Sequence, residues 1–65
     1  MKTVELEKLV ADNAAIVLTP DQLKTLQAKR DSYPNLKGSA IVVSGGRAYG
    51  IPADGIDTMI FKLAI

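Results

Sequence analysis

The stretch Val42-Val43-Ser44-Gly45-Gly46-Arg47-Ala48-Tyr49-Gly50 constrains the chain most. Two adjacent glycines separate a β-branched run from a second run of strand-like residues. A two-residue hairpin loop needs positive φ at one or both central positions, and glycine adopts it without steric cost. The spacing therefore predicts a strand through Ser39–Ser44, a tight turn at Gly45-Gly46 and a returning strand that ends at Pro52. A phosphate cradle is the competing explanation of the glycines. It would require them to lead into a helix and to be followed by Lys and Ser or Thr. An extended segment follows instead, and the lysine is absent.

A second turn signal, Asp54-Gly55, lies eight residues further on. The tail beyond it fits two patterns. Ile56, Met59, Ile60 and Leu63 are spaced for a helix face, whereas Met59, Phe61, Leu63 and Ile65 alternate as in a strand. The turn and the β-favouring Ile, Thr and Phe select the strand. Registering both turns puts Ile41, Val43, Ala48, Gly50, Met59, Phe61 and Leu63 on one wholly apolar face. The other face is mixed and carries Val42, Ser44, Arg47, Tyr49, Ile51, Thr58, Ile60 and Lys62.

Upstream, Thr19-Pro20-Asp21-Gln22 is a helix start. Thr19 supplies the cap, Pro20 takes the first helical position, and Gln22 completes a capping box. Leu18 and Leu23 have the spacing of a hydrophobic staple. This helix is expected from Pro20 to about Asp31, with Lys29 and Arg30 in its last turn and Pro34 limiting continuation. A first helix is expected from about Thr3, capped by Thr3, with Leu6, Leu9 and Val10 inward and Asn13 as terminator. Ala14–Leu18 reads as a short buried strand. The expected architecture is a single small α+β domain over residues 1–65, in the order α-β-α-β-β-β. Two short helices would pack on the apolar face of a small antiparallel sheet ending in a C-terminal meander.

Composition limits what such a domain does. A chain of 65 residues buries only about 60% of its unfolded surface and is marginally stable alone. There is no Cys and no His, so disulfides and zinc sites built from thiolate or imidazole are excluded. The hydrophobic fraction of 48% is more than one small core readily hides, which points to self-association. No hydrolytic or acid–base constellation is visible: the hydroxyls and carboxylates fall mainly at caps and turns. No catalytic, cofactor-binding or metal-ligating residue is expected, and a non-enzymatic role follows. No apolar run reaches the ~18 residues of a membrane helix, and no leader pattern follows Met1-Lys2, so a cytoplasmic location is the expectation.

Charge is uneven although its formal sum is +1. Between Lys24 and Gly50, five cations (Lys24, Lys29, Arg30, Lys37, Arg47) face only Asp31. The mixed face is thus the candidate interaction surface: Val42, Arg47, Tyr49, Ile51, Ile60 and Lys62. An apolar centre with a polar rim and a tyrosine is the anatomy of a protein interface, and the expected partner is a second copy or another protein. The alternative is a nucleic-acid-binding module, in which Tyr49 stacks on a base and Arg47 and Lys62 hold phosphates.

The capping box makes an early prediction. Thr19→Ala should cost roughly 0.5–2 kcal/mol of stability in urea denaturation, because an early helix N–H loses its acceptor. An unchanged midpoint would show that the helix starts elsewhere.

Overall fold

The computed structural model describes residues 2–65. Three helices and three strands follow one another as α1 (Thr3–Ala11), β1 (Ile16–Leu18), α2 (Pro20–Lys29), β2 (Ala40–Ser44), β3 (Arg47–Ile51) and α3 (Thr58–Leu63). The sheet is antiparallel in the order β1-β3-β2. The α+β class is as expected, and so is the hairpin. Ser44 pairs with Arg47, Val43 with Ala48, Val42 with Tyr49 and Ile41 with Gly50. Gly45 and Gly46 have φ of 60° and 76°, the two positive values of a type I′ turn, whose twist matches that of the flanking strands.

The third strand is not the expected one. The turn at Asp54-Gly55 forms, with the Ile56 amide donating to the Ala53 carbonyl at 3.1 Å. The chain then enters a helix rather than a strand. Asp57 caps it, its Oδ1 accepting from the Met59 amide at 2.8 Å. The free side of β3 is taken instead by β1, with Ile16 opposite Gly50 and Leu18 opposite Ala48. A meander is the local solution to two successive turns. Here a pairing between residues 30 to 34 positions apart displaces it.

This exchange changes how the helices are placed. Ile16, Leu18, Ile41, Ala48 and Gly50 share one sheet face by alternation. The main core lies there: Leu18, Leu26 of α2, Leu36 of the following loop and Phe61 of α3 are buried together. Gly50 permits the approach of α3. A Cβ at this position would stand 3.1 Å from the Phe61 ring and 3.1 Å from Leu18 Cδ2, so the ring lies almost against the main chain. The opposite face, expected to be open and mixed, is covered by α1. Thr3 Oγ1 hydrogen-bonds Ser44 Oγ at 2.6 Å, and Leu6 and Tyr49 are fully buried. The helices therefore lie on both faces of the sheet rather than on one.

Local signals account for the ends of the elements. Thr19 Oγ1 accepts from the Gln22 amide at 3.1 Å, and Gln22 Oε1 accepts from the Thr19 amide at 2.9 Å, completing the box. Leu18 is buried, and Leu23 packs against the same cluster. Helix α1 departs from expectation at its start. Lys2 is the N-cap, its amide donating to Glu5 Oε2 at 3.3 Å, while the Thr3 hydroxyl is spent on Ser44. Asn13 ends the helix region with φ of 58°. Between α2 and β2, Leu36 is turned inward by two tight turns. Its amide donates to the Tyr33 carbonyl at 2.9 Å, and its carbonyl accepts from Ser39 Oγ at 2.6 Å.

The type I′ turn is open to a direct test. A Cβ at Gly45 would meet only Thr3 side-chain atoms at 3.5 Å and beyond, and one at Gly46 meets nothing. Gly45→Asn should keep the wild-type denaturation midpoint, because Asn tolerates positive φ. Gly45→Val should lower stability by roughly 1–3 kcal/mol, the cost of holding a β-branched residue in that region. Equal midpoints for the two variants would show that the loop has another geometry.

Candidate interaction surface

The six residues of the expected interaction face do not form one surface. Val42, Arg47, Tyr49 and Ile51 share a face of the β2–β3 hairpin, as the register predicted. Tyr49 is 0% exposed, however, sealed beneath α1. Val42 and Ile51 are half-buried, and Arg47 is exposed at the hairpin end. Ile60 and Lys62 belong to α3, which packs on the other side of the sheet through Phe61. The set Arg47, Tyr49 and Lys62, named for nucleic acid, is likewise divided. The aromatic ring has no free face for a base, and the two cations stand on opposite sides of the sheet.

Among the described residues Val4, Val17 and Tyr33 are exposed singly, and two further places expose apolar side chains that bear on contact with a partner. The first is α3. Met59 is 65% exposed, Ile60 48% and Leu63 79%. At 100° per residue these three fall within one arc of about 100°, pointing away from Phe61. The i, i+3, i+4 pattern that marked a helix in the sequence is thus the solvent side of that helix, and Phe61, outside the pattern, is its anchor. The second place is β2. It forms one margin of the sheet, and Val43 is 71% exposed there. The strand Ala40-Ile41-Val42-Val43-Ser44 carries no charge and no proline. Those are two of the devices by which exposed sheet edges commonly resist pairing.

Among the described residues no group of three or more His, Cys, Asp or Glu side chains comes together. An open cleft of about 1150 Å³ lies between the end of α1, β1 and the 52–58 segment, with Asn13, Gln22, Asp54, Asp57 and Lys62 among its lining residues. Its polar groups are partly committed to the fold: Asp57 caps α3, and Thr58 Oγ1 donates to the Asn13 carbonyl. An aromatic–cation pair that the sequence did not reveal occurs after α2. Lys29 Nζ stands 5.1 Å from the centroid of the Tyr33 ring, a cation–π arrangement that ties the loop to the helix end. No helix among the described residues is long and apolar enough to cross a membrane. Comparison with protein-family models, with characterised proteins and with solved structures found no match to this chain.

The Tyr49 hydroxyl is buried and has no hydrogen-bond partner among the described residues. A buried unpaired hydroxyl carries its desolvation cost uncompensated, on the order of 1–3 kcal/mol. Tyr49→Phe retains the ring and removes that group, so the variant should be more stable than the parent by about 1 kcal/mol in urea denaturation. A loss of stability of similar size would show that the hydroxyl is bonded in solution.

Proposed function

We propose that the protein is a small non-enzymatic assembly protein that associates with itself through apolar surface left exposed by its fold. The observation that carries this reading is the solvent-facing stripe of α3. Three of the six residues of the helix are large apolar side chains at one-half to four-fifths exposure, and they lie on one side. Isolated exposed hydrophobics are ordinary, but a contiguous apolar stripe with a cation at its border, here Lys62, has the composition of a contact surface. Stability points the same way. A 65-residue chain with neither disulfide nor His/Cys metal site gains most by burying further apolar surface against another chain.

A non-catalytic role is supported by the residue inventory. Without His or Cys, nucleophilic and proton-transfer chemistry at neutral pH would fall to carboxylates, lysines and hydroxyls held in place by neighbours. Several of those groups here serve as caps and turn residues. The exposed basic residues of the middle third then act as solubilising charge around the assembly.

The double substitution Met59→Lys/Leu63→Lys tests the proposal. Both side chains are mostly exposed, so the fold should persist, with an unchanged far-ultraviolet circular dichroism spectrum. Sedimentation equilibrium should show the parent chain as a dimer or larger in the high micromolar range, and the variant at lower mass. A parent chain that remains monomeric there would refute self-association.

A further inference from the structure

We infer that β2 is a self-pairing edge: two copies join antiparallel through Ala40–Ser44, about a two-fold axis at Val42, into a continuous six-stranded sheet. The inference rests on the self-association reading and adds to the α3 stripe a second contact, at the margin of the sheet.

The hydrogen-bonding pattern of the hairpin defines the edge. In a two-residue hairpin the residues flanking the turn form a hydrogen-bonded pair, and bonded and non-bonded pairs then alternate. Ser44–Arg47, Val42–Tyr49 and Ala40–Ile51 are therefore the bonded pairs, while Ile41 and Val43 turn both their N–H and C=O groups away from β3. Among the described residues no other strand lies on that side, and neither residue is engaged by a turn or a cap. Two donors and two acceptors thus point outward at alternate positions, as a further antiparallel strand requires.

The sequence of β2 makes a second copy its matching partner. With Val42 on the axis, Ile41 faces Val43 of the other copy, and Val43 faces its Ile41. These two pairs supply four main-chain hydrogen bonds. On the side of the main core, the exposed Val43 meets Ile41 of the second copy. On the side covered by α1, Val42 meets Val42. At the ends Ala40 faces Ser44. No charge is placed opposite a like charge, and every central contact joins two β-branched side chains, the residues best suited to cross-strand packing.

The other margin of the sheet is built differently. β1 has three residues, of which only Val17 turns its main chain outward, and Thr19-Pro20 then starts α2. A short strand closed by a capped helix is a protected edge. Strand pairing is therefore confined to β2, and the sheet ends at six strands rather than running on as an open ribbon.

The absence of native cysteine allows a decisive test. In the proposed register the two Val42 Cα atoms form a non-hydrogen-bonded pair about 4.5 Å apart, within the ~4.4–6.8 Å that a disulfide spans. The two Ala40 Cα atoms lie four residues out of register, roughly 13 Å apart along the strand. Under mild oxidation Val42→Cys should yield a covalent dimer, and Ala40→Cys should not. Val43→Lys, at a site exposed in the single chain, should keep the circular dichroism spectrum and reduce the sedimenting mass to half or less of the parent assembly. A parent chain that stays monomeric at high micromolar concentration overturns both this inference and the self-association reading. A parent that assembles, with Val43→Lys unchanged in mass and no Val42→Cys dimer, overturns the edge pairing alone. Equal cross-linking of Ala40→Cys and Val42→Cys overturns the register.

Discussion

The structure depends on the two-sided burial of β3. Its residues alternate between a small side chain facing the main core and a larger one facing α1: Ala48 and Gly50 on one side, Tyr49 on the other. The small pair lets Leu18 and Phe61 close on the main chain, and Tyr49 fills the space beneath α1. A domain of this size has a net stability of roughly 0.05–0.15 kcal/mol per residue, or roughly 3–10 kcal/mol in all. One fully buried Leu or Phe contributes roughly 1.5–3 kcal/mol. Each of the five fully buried large side chains (Leu6, Leu26, Leu36, Tyr49 and Phe61) is therefore a considerable share of what holds the chain folded. Neither layer is dispensable, and the central strand can serve both only because its alternation is so uneven in volume.

Signals confined to a few residues were legible in the sequence. The hairpin register followed from Gly45-Gly46, the start of α2 from Thr19 and Gln22, and the turn before the tail from Asp54-Gly55. What could not be read was the choice of neighbour for β3. Ile16–Leu18 and the tail are both short and apolar, and both could supply a strand. The tail becomes a helix because Asp57 can cap it, and Asp57 is the local signal that could have revealed this. Periodicity misled at the same place. Met59, Ile60, Phe61 and Leu63 surround α3 with apolar groups, so the pattern did not distinguish the anchor from the exposed side. Leu36 was hidden for a related reason: it is a lone aliphatic residue in a mostly polar loop, and only the turns on either side of it direct it inward.

The displacement of the tail by β1 also relocates the candidate site. With a strand in the tail, Tyr49, Ile60 and Lys62 would have stood together on an uncovered sheet. With α1 on that face and α3 on the other, exposed apolar surface shifts to the outer side of α3 and to the margin at β2. The two margins of the sheet receive opposite treatment: β1 is short and closed by the Thr19 cap, whereas β2 is longer, uncharged and open. An exposed edge of that composition would be an aggregation hazard for a free chain. Closure about a two-fold axis turns the same edge into a specific contact.

Amide hydrogen exchange, resolved by residue and measured at several protein concentrations, tests this account most directly. The amides of Ala48, Tyr49 and Gly50, bonded to β1 or β2 at the centre of the sheet, should be slow at every concentration. Those of Ile41 and Val43, pointing outward from β2, should exchange fast in dilute protein and become slow as the chain assembles. Fast exchange at Ile41 and Val43 in the fully assembled protein would contradict the account, because the edge would then be open in the very state that is held to close it.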